Sequence, residues 1–254
     1  MANLLRRAIQ QSISDAFDLA KTFATTLYTG NGGTQAIVSG LDFTTEGLAW
    51  IKNRGGTNGT NAHNLVDTVR GASGNLVSDT TAAEVITGRV SSFNNDGFTV
   101  ENYGVVNTTG DLYVAWQFMK AKGFLDIVEY TGDGVAGRTV ALDLDDGSAV
   151  FGMSIVKNLD SVQNWSVQHK SLGGTKALNL NHSYASGTFI DYWNNTAATT
   201  TGLTLGNIPA TNGNGNRFIS YNFAHNPTKG IFCGSYTGTG AAGNKITTGF
   251  PVGW

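Results

Sequence analysis

The chain has 254 residues, 13% of them charged, and a formal net charge of −2. Ordinary soluble domains carry about 25% charge, so this surface is polar but nearly uncharged; with only Arg6-Arg7 as adjacent basic residues it offers no footprint for nucleic acid. The single cysteine, Cys233, excludes an intrachain disulfide framework and reads as a small buried hydrophobe, and no apolar run reaches the roughly 18 residues of a membrane span.

In chain order, Leu5, Ile9, Ile13, Ala16, Phe17 and Ala20 fall at three- and four-residue steps and predict an amphipathic helix from Asn3, its N-cap, to about Phe23. The stripe Leu5, Ile9, Ile13 and Phe17 needs a partner: the first β-domain, a sister copy in an oligomer, or a docking protein. It is assigned to attachment or oligomerisation. After Thr26 the texture changes to short alternating stretches between Gly, Asn and Asp. Strands are expected at 35–38, 48–52, 64–69, 75–78, 98–100 and 112–118, and again at 127–130, 138–142, 152–157, 165–169, 177–180, 203–205 and 218–223. Many short strands with turn signals between them read as all-β antiparallel sandwiches.

These strands belong to a repeat. Tyr28-Thr29-Gly30-Asn31-Gly32, Tyr130-Thr131-Gly132-Asp133-Gly134 and Tyr236-Thr237-Gly238-Thr239-Gly240 recur at domain-sized spacing. Trp50-Ile51-Lys52-Asn53 answers Ile155-Val156-Lys157-Asn158, and Leu112 to Phe118 answers Phe218 to Phe223. The expected organisation is a helix in 1–26, sandwich repeats in 27–124 and 125–231, each burying its own core, and the start of a third repeat in 232–254. Since that third copy stops in mid-domain, the chain is expected to be the N-terminal portion of a longer protein.

Candidates for chemistry are few. A glycan-cleaving sandwich needs paired carboxylates, and Glu46, Glu84, Glu101 and Glu129 stand isolated in sequence; no catalytic residue is assigned. His63, His169, His182 and His225 show no metal-site spacing. Asp143, Asp145 and Asp146 beside Gly147 resemble a Ca²⁺ loop, although Ser154 stands where the distal bidentate Glu belongs and a solvated hairpin turn explains the same letters. No other cofactor is expected. Tyr184, Tyr192 and Trp193, with Trp165, lie among Asn and Ser residues and suit stacking on sugar faces; the alternative for the tryptophans is the core.

The succession of the Tyr-Thr-Gly block, Trp50-Ile51-Lys52-Asn53-Arg54, Asn64 to Ala72, Ser91 to Phe98 and Gly110 to Trp116 resembles a repeat domain of uncharacterised structural proteins of tailed bacteriophages. The resemblance covers Leu27 to Trp254. It implies jelly-roll or concanavalin-like sandwiches in a non-enzymatic virion protein, such as a tail fibre or host-recognition protein anchored by its N-terminal helix. The expected partners are copies of itself, with a homotrimer preferred, other tail or head proteins, and a host cell-surface glycan, without membrane insertion. A capsid decoration or tail-structural protein is the alternative, and a polysaccharide-degrading spike a third reading.

Overall fold

The computed structural model describes residues 17–56 and 62–252. Leu5, Ile9 and Ile13 therefore lie outside the described residues. Over 17–23, the described end of the expected helix, the chain is not α-helical: Asp18 caps a single 3-10 turn at Leu19–Lys21, its Oδ1 accepting from the Ala20 N–H at 3.0 Å. Phe23 already belongs to a strand.

The first repeat runs β1 (Phe23–Thr29), β2 (Gln35–Val38), β3 (Gly47–Gly55), β4 (Asn64–Asp67), β5 (Gly74–Val77), β6 (Val85–Ile86), β7 (Val90–Asn94), β8 (Gly97–Val100), α1 (Gly104–Asn107) and β9 (Leu112–Met119). The second runs β10 (Leu125–Thr131), β11 (Thr139–Ala141), β12 (Val150–Asn158), β13 (Ser166–His169), β14 (Lys176–Asn179), β15 (Gly187–Thr188), α2 (Ile190–Trp193), β16 (Gly202–Thr204), α3 (Pro209–Asn212) and β17 (Arg217–His225). Each repeat builds a six-stranded antiparallel sheet of the same topology, β1-β9-β3-β4-β5-β6 and β10-β17-β12-β13-β14-β15, with a smaller sheet beside it, β2-β8-β7 or β11-β16. The protein is all-β, and the first module opens at Phe23, four residues before its expected boundary. Residues 232–252 contain no strand.

Two-faced burial explains the central strands. In β9, Tyr113, Ala115 and Met119 face a core with Ile37, Phe43, Ile51 and Phe98, while Phe118 faces the opposite way. In the second repeat Tyr130, Val156, Trp193, Leu203 and Phe218 form the equivalent core. Between them lies a third. Leu48, Leu65, Leu76 and Phe118 pack on Leu125, Ile127, Ile155, Trp165, Ile219 and Tyr221, so the two large sheets meet face to face in a four-layer stack. Each such side chain contributes about 1.5–3 kcal/mol when fully buried, so the repeats, each with a core of its own, also share one.

Polar groups lock the same seam. Trp165 donates its indole N–H to the carbonyls of Val77 and Thr80, at 3.1 Å each. The fully buried Lys157 donates from Nζ to the carbonyls of Asn158 (2.9 Å), Gln163 (3.0 Å) and Thr81 (3.3 Å). Arg70 fills a pocket among Asp67, Glu84 and Tyr221, three groups from both repeats.

Burial opposes the charged form of Lys157 and brings it from 10.5 down to about 8. The unfolded chain therefore binds this proton more tightly, and stability is expected to rise as pH climbs from about 8 towards 10.5. Below about pH 8 a cost on the order of 3 kcal/mol is present in full. Urea denaturation across the lower part of that window, before free tyrosines ionise near pH 10, should show the wild type gaining stability relative to Lys157→Met as pH rises, a comparison in which the raised Cys233 thiol, common to both, cancels; a constant difference between the two refutes the assignment.

Candidate functional site

The recurrent block is a latch. Tyr28 and Tyr130 end the edge strands β1 and β10, stacked on Tyr113 and Phe218 at 5.0 and 5.1 Å. Their hydroxyls donate to the carbonyls of Val106 (2.7 Å) and Thr211 (2.6 Å). The next residue is in each case a buried asparagine, Asn107 or Asn212, at the end of α1 or α3. Its Oδ1 accepts the N–H of Asn31 (2.8 Å) or Asp133 (3.0 Å), the variable residue of the block. Gly30 and Gly132 let the turn close: an added Cβ would lie 2.1 Å from Thr108 O or 2.3 Å from Gly213 O. The second glycines, Gly32 and Gly134, both have φ of +70°. The tyrosine ring and hydroxyl, the first glycine and the N–H of the variable residue are thus all used by the fold. Sequence reasoning missed Asn107 and Asn212; their signal is register, each standing five residues before the strand β9 or β17.

The predicted aromatic residues separate. Trp165 and Trp193 are fully buried and serve the cores. Tyr192 is half-buried, its phenol raised above the ordinary value by that burial. Tyr184 is 75% exposed yet not loose: it stacks on His182 at 5.1 Å and 13°. His182 Nε2 lies 3.0 Å from Asn164 Oδ1, which also accepts from Asn181 Nδ2 at 2.9 Å. A flat ring backed by two amides therefore stands on the β14–β15 connection.

The acidic residues are engaged by protein donors. Lys122 pairs with Asp143 at 2.8 Å, and Asp145 Oδ1 accepts the Gly147 N–H at 2.9 Å. Asp146 Oδ1 accepts from the N–H groups of Ser148 and Ala149, and Oδ2 meets Lys229 Nζ and Asn226 Nδ2. Burial alone would raise the Asp146 carboxyl, but Lys229 and these N–H groups hold it well below the usual carboxylate range. The Asp145 and Asp146 side chains thus cap a turn while Asp143 pairs with Lys122, and among the described residues no group of three or more His, Cys, Asp or Glu is gathered for a metal. Phe17, expected on an attachment face, packs edge-on against Phe124 at 5.9 Å, with Lys229 Nζ over its ring.

The glutamates, isolated in sequence, are partly joined in space, since Glu84 and Glu129 both face Arg217, at 3.2 and 3.7 Å. Glu84 is itself buried and also bound by Arg70, so this pair holds a guanidinium rather than an open water site. A cleft of about 400 Å³ lies at the far end of β13 from Asn164, lined by Phe151, Gln168, His169, Lys170, Ala198 and Thr199. Burial, then Lys170, lowers both His169 and His225, and burial pushes the Cys233 thiol up to about 11. Burial thus favours neutral imidazoles at His169 in the lining and at His225, and an unreactive Cys233 thiol.

A family model described as a domain of unknown function, DUF7483, matches residues 18–254. The chain belongs to the DUF7483 family. No curated protein and no solved structure matches it. The match begins at Asp18, just ahead of β1, and spans both repeats of this DUF7483 protein together with the third Tyr-Thr-Gly block.

Proposed function

We propose that this protein is a non-enzymatic structural component of a bacteriophage virion, part of a tail fibre or tail-associated host-recognition protein that contacts a cell-surface glycan. The observation that carries the contact is the Tyr184 ring, exposed but pre-set by its stack on His182 and by the His182–Asn164 pairing. A ring ordered before its ligand arrives loses little freedom on binding, and its face suits the apolar side of a sugar while neighbouring amides suit hydroxyls. Two further features favour the setting. The scarcity of charge limits indiscriminate electrostatic adhesion, and the shared core makes the paired repeats one stiff unit, as a load-transmitting part requires.

Tyr184→Ala is expected to weaken binding to host surface polysaccharide at least tenfold, in a glycan pull-down or by calorimetry, while leaving the melting temperature unchanged. Equal binding by the variant would sink the glycan reading. Gold-labelled antibody should mark the tail, and marking of tailless heads would favour a capsid decoration instead.

A further inference from the structure

The Tyr-Thr-Gly latch is filled twice and open once. Tyr236 is 71% exposed, and a Cβ on Gly238 would meet nothing within 4 Å. Among the described residues, the hydrogen bonds given for 234–252 stay inside the segment, as from Asn244 Nδ2 to Thr237 O. Residues 231–237 hold the positions of β1 and β10 but form no strand; such a segment pairs over seven rungs with β9 or β17, and among the described residues no third strand of that kind lies beside it. The turn itself is nonetheless set. Gly240 has φ +69°, against +70° at both Gly32 and Gly134.

We propose that residues 231–240 are an assembly site that receives a β9-type strand, with the asparagine-bearing turn before it, from a partner module of the same repeat. The two filled latches define what the partner presents. It offers a carbonyl to the Tyr236 hydroxyl, and next to it an asparagine whose Oδ1 accepts the Thr239 N–H, as Asn107 and Asn212 do for Asn31 and Asp133. It offers a bare carbonyl against Gly238, and an aromatic ring in the place of Tyr113 or Phe218 to stack on Tyr236. Strand addition of this kind supplies affinity through the main chain and specificity through side chains. An intact second copy does not qualify, since β9 lies between β1 and β3, and β17 between β10 and β12, both fully paired.

The probe is a synthetic peptide of residues 208–225, which carries α3 and β17, titrated into isotopically labelled full-length protein. Binding should shift the amide resonances of Thr237 to Gly240. Affinity should fall at least tenfold with Tyr236→Ala or Gly238→Val in the protein, or with Asn212→Ala in the peptide. Both protein substitutions fall at positions without packing partners, so the variants fold. Absence of shifts at 237–240, shifts confined to β10 and β12, or equal affinity for Tyr236→Ala would each overturn the proposal.

Discussion

Replacing Arg70 by alanine is expected to lower the unfolding free energy by about 4 kcal/mol, and to do so for both repeats together. The guanidinium is 1% exposed and donates to Asp67 at 2.6 Å, Glu84 at 2.8 Å, the Gly74 carbonyl at 3.0 Å and the Tyr221 hydroxyl at 3.1 Å. Tyr221, itself buried, donates to Asp67 at 2.7 Å, which carries the network into the second sheet. Removing the cation leaves buried Asp67 with the Tyr221 hydroxyl and Glu84 with the half-exposed Arg217 as side-chain partners, and the loss reflects carboxylate desolvation more than the worth of the ion pair. One corollary separates this account from simple cavity formation. Replacing Asp67, Arg70 and Glu84 together by apolar residues of similar volume should cost less than Arg70→Ala alone. Arg217→Ala is the contrast: that side chain is 49% exposed, and its contacts with Glu84 and Asp160 are worth at most about 1 kcal/mol. Urea titration of the four proteins decides the matter. A loss below about 1 kcal/mol in Arg70→Ala would mean that water reaches the cluster.

Most of the sheet was legible in the sequence because its signal is local. Gln35 to Val38 is bounded by turn residues and forms β2 over that same span, and apolar residues on both faces of Leu112 to Phe118 placed β9 at the centre of a sheet. What failed to show was relational. Phe23 to Thr29 continued the apolar spacing of the segment before it, and its strand identity rests on pairing with β9 some 90 residues away, Phe23 opposite Phe118 and Thr29 opposite Leu112. The two-residue strands β6 and β15 are too short to carry any period. The strand expected at 48–52 is found, but nothing local shows that its Leu48 face meets another repeat while Ile51 serves the core of its own. In the same way Asp143, Asp145 and Asp146 spell a turn and a cation loop with the same letters; that Lys229 and Asn226, about 80 residues downstream, reach Asp146 is not visible locally. For the site, exposure of Tyr184 was readable from its polar neighbourhood, whereas its pairing with His182 depends on how the connecting loop folds back.

Three glycines at one motif position permit a sharper test, because sequence makes Gly30, Gly132 and Gly238 equivalent and structure does not. None of the three has a positive φ, so alanine meets no backbone penalty at any of them and only the surrounding space differs. At Gly30 the new Cβ would press on Thr108 O at 2.1 Å, and at Gly132 on Gly213 O at 2.3 Å and the Phe218 ring at 2.9 Å. Thr108 O accepts the Asp111 N–H at 3.1 Å and Gly213 O the Asn216 N–H at 3.2 Å, two residues past the carbonyls that Tyr28 and Tyr130 hold; with little room to retreat there, each Gly→Ala is expected to cost about 3 kcal/mol, the upper range for overpacking. At Gly238 nothing lies within 4 Å, and alanine should be neutral or gain about 0.5 kcal/mol by restricting the unfolded chain. Thermal and urea unfolding of the three single variants measure the contrast. An equal loss at all three would show that the motif acts through local turn conformation alone, whereas a loss at Gly30 and Gly132 only ties it to the strand that closes over it. Because both filled latches join a first strand to the end of its repeat, 76 residues apart at Asn31 and Asn107 and 79 at Asp133 and Asn212, their damage should also slow refolding: the contact closes a long loop, and its loss removes the pairing that makes closure favourable.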